Sequence, residues 1–503
     1  MLSVFLLAVF VKAVVFEIGV NLLLFNSYEF IFIFLPITFA GFFLLGTYKK
    51  NYAMLWLVAA SFVFYGYWDY RYVPLLFASI LFNYLVGRQI EKTRSKKWLV
   101  FGIVVNVLLL GYFKYTDFFL GTINDIAGEL CFALPHIVLP LGISFFTFTQ
   151  SAYLVDVYRG EAVNSSFVAY CEFVTIFPHL IAGPIINYKE MLPQFLAGKT
   201  FKINYDNLAM GISIFAMGLF KKVAIADKLA IWANAAFSHT ESLTFLEAWI
   251  GALSYTFQLY FDFSGYSEMA IGLGLMFNLT LPINFNSPYQ AASIIDFWRR
   301  WHMTLGSWVR DYLYIPMGGN RHGEFAKMRN LFVSMMIIGL WHGAGWTFVL
   351  WGGVHGLALM VNHQWRRLKI TLPKCLNWGL TFITVLLLWV FFRAENFSSA
   401  CNVILSMTDI HNIALPANGF TQKYFGILAD YGFVFAKWNM PGSLAKTMGT
   451  LLLILFILLF VPNPLKLMNR FKPNNIWFVI ISCLLIYSIL HLNNYSEFLY
   501  FQF

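Results

Sequence analysis

Charge is scarce in this chain. Only 12% of its 503 residues are Asp, Glu, Lys or Arg, against about a quarter in an ordinary soluble domain. Hydrophobic residues make up 59% and aromatics 19%, with 55 Phe, 26 Tyr and 16 Trp. A chain of this length encloses too little interior to hide so much apolar surface from water. Many apolar runs approach the roughly 20 residues that a spanning helix needs. A soluble enzyme is therefore excluded, and the expected class is an all-α polytopic membrane protein. Cysteine is also scarce. Cys131, Cys171, Cys375, Cys401 and Cys483 form no CxxC pair, so neither a disulfide framework nor a zinc finger is indicated, and no metal is called for. Linkers, low-complexity stretches and a segment resembling a soluble domain are lacking too, which leaves one membrane domain.

The charge that is present sums to +10. It sits in short loops between apolar runs, the usual topology bias of membrane proteins, and so does not point to a nucleic-acid partner. Apolar segments read at 3–24, 28–46, 52–68, 72–87, 98–113, 134–155, 166–188, 207–226, 245–281, 291–318, 330–361, 376–392, 447–461 and 476–491. Lys49 and Lys50, Arg88 to Lys97, the 366–374 loop and the 463–475 loop mark the cytoplasmic side. The 394–446 stretch, the longest polar one, and the tail from Leu492 to Phe503 then lie outside. Residues 1–23 stand apart, because Lys12 and Glu17 interrupt their apolar run. They read as an extra span, a signal-like segment or a start-site artefact.

The most informative window is Asn330–Val361, 32 residues without one Asp, Glu, Lys or Arg. It is long for one span and short for two. Arg321, Lys327 and Arg329 precede it, and Arg366 and Arg367 follow. It reads as a hairpin dipping in from the cytoplasm, broken at Gly343-Ala344-Gly345, where glycine tolerates positive φ. A helix from Asn330 to His342 rises about 19 Å at roughly 1.5 Å per residue, past the middle of a core about 30 Å thick. Broken backbone at that depth must be buried in protein or line a cavity. His342 is thus an ionisable group at a helix break in the membrane, able to take and return a proton near neutral pH. A core histidine bonded to a neighbour is the competing reading, which the break disfavours.

In the window Asp296–Pro316, Trp298, Trp301, Leu305 and Trp308 recur at helical spacing. An amphipathic interfacial or re-entrant helix is expected, with Trp298, Trp301 and Trp308 as a membrane-interface belt. His302 is either a tunnel residue or a structural one. Arg299, Arg300 and Arg310 either meet an anionic donor or a lipid phosphate, or snorkel. In Gln258–Glu268, Asp262 and Glu268 interrupt an apolar run and each needs an Arg, His or backbone partner; a structural ion pair comes before a proton relay. The 140–160 and 177–188 stretches, with Gln150, Asp156 and His179, read as irregular tunnel-lining backbone. Four aromatics crowd the last six residues, Phe498 to Phe503. Tyr500 there is either an interface anchor or a nucleophile: a phenol with a pKa near 10 ionises more easily than a sugar hydroxyl and leaves better than an alkoxide.

Together these windows resemble the membrane-bound O-acyltransferase family, and within it the bacterial branch of alginate O-acetylases, peptidoglycan O-acetyltransferases and teichoic-acid D-alanylation acyltransferases. The resemblance is carried by LPLGISFFTFTQSAYLVDVYRG (139–160), LIAGPI (180–185), YFDFSGYSEMAIGLG (260–274), FWRRWHMTLGSWVRDYLYIPMGGNR (297–321) and LWHGAGWTFVLWGGVHG (340–356). It runs from about Leu24 to the end, which sets 24–503 as the family domain and leaves 1–23 unexplained. It implies a helical core with re-entrant helices forming a funnel and a tunnel, joining a cytoplasmic acyl donor to an outer acceptor. It implies that the WHG histidine, His342, is catalytic and that the RRWH histidine, His302, is a second tunnel residue. Asp262, Glu268, Trp301, Trp341, Arg310 and Gln150 are the expected supporting residues. The FxYxxF-like tail implies Tyr500 as an acyl relay.

The function expected is acetyl transfer from a cytoplasmic thioester, acetyl-CoA, for O-acetylation of a cell-envelope polysaccharide, peptidoglycan before alginate or another exopolysaccharide. No bound cofactor is expected. The setting is the bacterial inner membrane, with an outer-face O-acetyltransferase as partner. D-alanyl transfer is an alternative, although in that branch the tyrosine motif sits on a separate small protein. A proton-coupled transporter would also use buried Asp262, Glu268 and broken helices, but no inverted repeat is visible, and a transporter should tolerate loss of Tyr500.

Overall fold

The computed structural model describes residues 23–163, 165–417, 419–431, 434–468, 471, 473–492 and 499. The apolar segment expected at 1–23 lies outside them except for Leu23. Regular structure is almost wholly helical. Among the described residues, five helical stretches are long and apolar enough to cross a membrane: Phe30–Tyr48, Lys50–Thr93, Lys96–Ala127, Tyr205–Phe237 and Lys374–Arg393. Helices satisfy every backbone polar group within the segment, as hydrocarbon requires. The protein is an all-helical polytopic membrane protein. The strands among the described residues are Ala414–Pro416 and Val434–Ala436, paired in parallel. With the helix Phe397–Thr408 they give order to the stretch read only as polar at 394–446.

The chain divides into two units. The first comprises 1–220, 266–283 and 468–494, the second 221–265, 284–467 and 495–503. In the first unit, Phe25, Phe30, Phe64 and Phe177 form a ring cluster with centroids 5.0 to 5.9 Å apart. Side-chain amides join helices where apolar contact alone would not fix register. Asn83 and Asn106 are both buried and exchange two hydrogen bonds, at 3.0 and 2.7 Å.

One reading is corrected in this unit, and two of its apolar segments are divided. The 134–155 segment is no single span: Pro135 and Pro140 interrupt it, and the helix Ile143–Arg159 starts only after Gly142. Gly142 has φ +69°, and a Cβ there would lie 2.7 Å from the Leu180 carbonyl oxygen, so only glycine fits. Conversely, 140–160 is mostly regular helix rather than irregular backbone. The polar side chains that suggested irregularity have partners: Gln150 donates to Ser79 Oγ at 3.0 Å and accepts from the Tyr170 hydroxyl at 3.2 Å. The 166–188 segment breaks into Phe167–Thr175 and a single turn, Phe177–Leu180. There His179 Nε2 lies 3.1 and 3.2 Å from the carbonyls of Phe173 and Val174, in keeping with the irregularity read at 177–188.

The second unit holds residues 245–265 of the helix Phe245–Met276, and the helices Gly323–His342, Trp346–Arg367 and Lys374–Arg393. Here the single amphipathic helix expected across 296–316 is split into Ile294–Trp298 and Met303–Val309, followed by a π-turn at Arg310–Tyr314. Trp301 belongs to no interface belt. It is 2% exposed, stacked on Phe297 at 5.7 Å and against Trp389 at 4.9 Å. The 3.6-residue spacing is real, but the chain turns at His302 and Trp301 points into the core.

The amide pair yields a stability test. Asn106→Leu leaves the buried Asn83 carboxamide oxygen without its partner and should cost about 1–3 kcal/mol. Asn83→Leu/Asn106→Leu removes both amides and should lose less. Thermal unfolding in detergent checks this, and a double variant less stable than either single one would refute the pairing.

Candidate active site

The site is built on a broken helical hairpin. Gly323–His342 ends at His342, residues 343–345 break the helix with Gly343 and Gly345 extended, and Trp346–Arg367 begins at once. The two helices pack backbone to backbone through glycines. A Cβ on Gly339 would strike the Phe348 carbonyl, one on Gly352 the Met335 carbonyl, and one on Gly356 would come within 3.1 Å of Phe332 Cα. Small residues at such a seam are what let membrane helices approach closely. The break falls where expected, for a different reason. Gly343 has φ −154° and Gly345 φ −165°, extended values open to any residue. A Cβ at Gly343 would run into the Phe348 ring, so any larger residue there would displace that ring.

This geometry delivers His342 into an aromatic enclosure. Its ring lies 4.9 Å from Trp341, 5.2 Å from Trp351 and 5.2 Å from Phe392, all edge to face, and 6.4 Å from the ring of His302. His342 is 6% exposed and Trp341 is buried beside it.

His302 is fully buried and takes φ +43° at the turn before Met303–Val309. Asn284 holds this left-handed conformation. Its carbonyl accepts from Met303 N at 2.9 Å, and its Oδ1 accepts from Thr304 N at 3.3 Å and Thr304 Oγ1 at 2.9 Å. The same Oδ1 is 3.1 Å from His302 Nδ1. A backbone N–H only donates, so the Asn284 atom facing it is oxygen, and neutral His302 must then carry its proton on Nδ1. Nε2 is left as the basic nitrogen. Phe263 closes the other side of the ring at 4.9 Å.

One residue before Phe263, Asp262 joins a buried charge cluster. Lys222 Nζ lies 2.7 Å from Asp262 and 2.8 Å from Asp227. Lys222 and Asp227 meet although five residues apart, because the helix widens to a π-turn at Lys221–Ala226. Asp262 therefore has the ion pair expected of it, with a lysine rather than an arginine or histidine. Its Oδ2 also accepts from the backbone N–H of Leu499 at 3.3 Å. Leu499 is 1% exposed, so the tail residue preceding Tyr500 is seated in this unit. Tyr500 itself lies outside the described residues.

The structure thus brings His342, His302, Trp341, Trp301 and Asp262 into one unit. Glu268 and Gln150 are buried in the other unit. Arg310 is on the surface, paired with Asp311 at 2.7 Å. Residues that sequence reading passed over are Lys222 and Asp227, Asn284, Trp351 and His355. A lysine pair inside an apolar run, followed by Asp227, was a legible signal for the first two. Nothing local marks Asn284, which acts 18 residues away on His302.

The family model of membrane-bound O-acyltransferases matches residues 131–400. The chain belongs to the membrane-bound O-acyltransferase family. It is 48% identical over 431 residues to the peptidoglycan O-acetyltransferase of Helicobacter pylori, covering 79% of this chain and 82% of that one. It is 45% identical over 399 residues to the probable alginate O-acetylase of Pseudomonas aeruginosa, covering 76% and 75%. The teichoic acid D-alanyltransferase of Streptococcus thermophilus is 26% identical over 245 residues, 46% of this chain and 59% of that one. The resemblance read from the motifs is thereby established. The matched region of this O-acyltransferase contains both histidines and the Lys222 cluster.

Removing one partner of a buried ion pair strands a charge at a cost of about 3–5 kcal/mol. Lys222→Met should therefore sharply lower the melting temperature in detergent, and Lys222→Met/Asp262→Asn should recover part of the loss. An unchanged melting temperature in the single variant would show that the cluster does not hold the fold.

Proposed function

We propose that this enzyme takes an acetyl group from a cytoplasmic thioester, acetyl-CoA, and passes it across the inner membrane for O-acetylation of a cell-envelope polysaccharide. The observation that carries the reading is the His302–His342 pair, rings 6.4 Å apart at a helix break inside an aromatic enclosure. His342 is the general base. Its nitrogen takes the proton of the receiving hydroxyl as that oxygen attacks the thioester carbonyl. The new C–O ester bond forms, the C–S bond breaks, and the imidazolium returns the proton to the leaving thiolate. His302, basic at Nε2, orients or polarises the reacting groups. A hydrophobic wall excludes water from the thioester and limits hydrolysis.

The receiving hydroxyl in this reading is Tyr500, and an outer-face O-acetyltransferase then moves the acetyl group to the glycan. The seat of Leu499 against Asp262 supports it, because the neighbouring residue is held in the same unit as both histidines. Peptidoglycan is the favoured acceptor, in keeping with the H. pylori relative; alginate is the second, in keeping with the P. aeruginosa relative. The tail lies on the outer face, residues 24–503 form the catalytic domain, and 1–23 are an appended apolar segment.

His342→Gln should lower acetyl transfer by a factor on the order of 10²–10⁴, the contribution of a general base. In cells given labelled acetate and lacking the outer transferase, mass spectrometry of the tail peptide should find an acetyl ester on Tyr500 that His342→Gln abolishes. Normal transfer by a correctly inserted His342→Gln would sink the assignment of the base. A tail without ester under those conditions would remove Tyr500 from the pathway.

A further inference from the structure

His355 is the second histidine along the hairpin, after His342, and the reaction above does not use it. It is fully buried in Trp346–Arg367, its ring parallel to Phe297 at 6.3 Å and 4.8 Å from Trp351. Trp298 Nε1 lies 3.3 Å from its Nδ1. An indole N–H can only donate, so Nδ1 accepts and the neutral ring carries its proton on Nε2. That Nε2 has no hydrogen-bond partner among the described residues, although it is sealed from solvent. Seven residues on, Asn362 presents the opposite case: its Oδ1 is a buried acceptor also without a partner among the described residues. Several buried polar atoms of the chain share this state, but these two lie on the same helix as a cationic cleft.

Their placement suggests a shared role. Trp351, His355, Asn362 and Arg366 follow at intervals of four, seven and four, which puts them on one face of the helix. At one end of this face Trp351 touches the His342 ring at 5.2 Å. At the other, Asn362 and Arg366 line a cleft of about 520 Å³ together with Asp296, Arg299 and Lys369. Asp296 is bonded to Arg300 at 2.9 Å, so the cleft presents three cations against one carboxylate that is already paired. Residues 351 to 366 span about 22 Å at roughly 1.5 Å per residue. A cation cluster, then an acceptor, then a donor, then the reacting base complements a thioester on a phosphopantetheine arm: phosphate, a chain of hydroxyl and amide groups, and the acylated sulfur.

We propose that His355 and Asn362 are binding residues for the amide-bearing arm of the acyl donor. His355 Nε2–H donates to an arm carbonyl near the thioester, Asn362 Oδ1 accepts from an N–H or hydroxyl further out, and Arg299, Arg366 and Lys369 hold the phosphate end. This rests on the acyl-transfer reading of His342 and assigns its donor a path. The arm occurs both in coenzyme A and on carrier proteins.

Thiol release by the full-length protein in detergent, with acetyl-CoA, acetyl-phosphopantetheine and the amide-free thioester S-ethyl thioacetate, tests it. His355→Phe keeps the ring packing and removes the N–H. It should raise the KM for both arm-bearing donors about tenfold, the loss expected of one buried hydrogen bond. Its kcat should stay within about threefold, and its effect on S-ethyl thioacetate should be smaller than on either arm-bearing donor. Asn362→Leu should repeat this signature should His355→Phe fail to fold. A KM for acetyl-CoA well below that for acetyl-phosphopantetheine identifies free coenzyme A as donor, and equal values identify a carrier-borne arm; both keep the arm path. Equal losses on all three donors, or a loss confined to kcat, overturn it. Wild-type protein that releases thiol from none of the three would instead remove the acyl-transfer reading itself.

Discussion

The constraint on which this structure depends is that backbone broken away from water must be enclosed by protein. The chain meets it at 343–345 by pressing two helices together through glycines. Gly339 and Gly352 let backbone lie on backbone, and Gly343 leaves room for the Phe348 ring. The break is short because both flanking helices run to its edge. His342 is the last residue before the break. Its position in the aromatic enclosure follows from that packing, and so does the reach of Trp351 to both His342 and His355.

Several buried polar groups of the second unit are held by specific partners. Lys222 is tolerated because two carboxylates face it, and a π-turn supplies the spacing that an α-helix would deny. His302 holds a left-handed backbone because one asparagine bonds three consecutive residues, 302, 303 and 304. Phe263 and Asp262, adjacent on one helix, tie the histidine wall to the charge cluster and to Leu499. The two histidines, the buried charge cluster and the aromatic wall are thus held in place by packing and hydrogen bonds within the chain itself.

Much of this was legible along the chain. The hairpin, its break and His342 could be read because 32 residues without an Asp, Glu, Lys or Arg between basic flanks admit few structures in a membrane. The buried ion pair of Asp262 was expected because an unpaired carboxylate in hydrocarbon is too costly. What failed was reading periodicity as continuity. Trp298, Trp301, Leu305 and Trp308 have helical spacing, yet a turn at His302 divides them, and Trp301 lies in the core instead of an interface belt. Polar residues were also misread as irregular backbone at 140–160, where Ser79 and Tyr170 satisfy Gln150 on an intact helix.

The sequence by itself determined the solvent, the class and the family: too little charge for water, spans of the right length, and motifs in order that carry the two histidines. These are local properties, readable from composition and short windows. The tertiary structure alone decided which groups meet. Asn284 clasps His302 from 18 residues away, Lys222 reaches Asp262 across 40 positions, and Leu499 lies 237 positions from its acceptor. Partners that distant leave no mark in a window. Low dielectric makes each one necessary, but only the fold chooses which side chain fills the need.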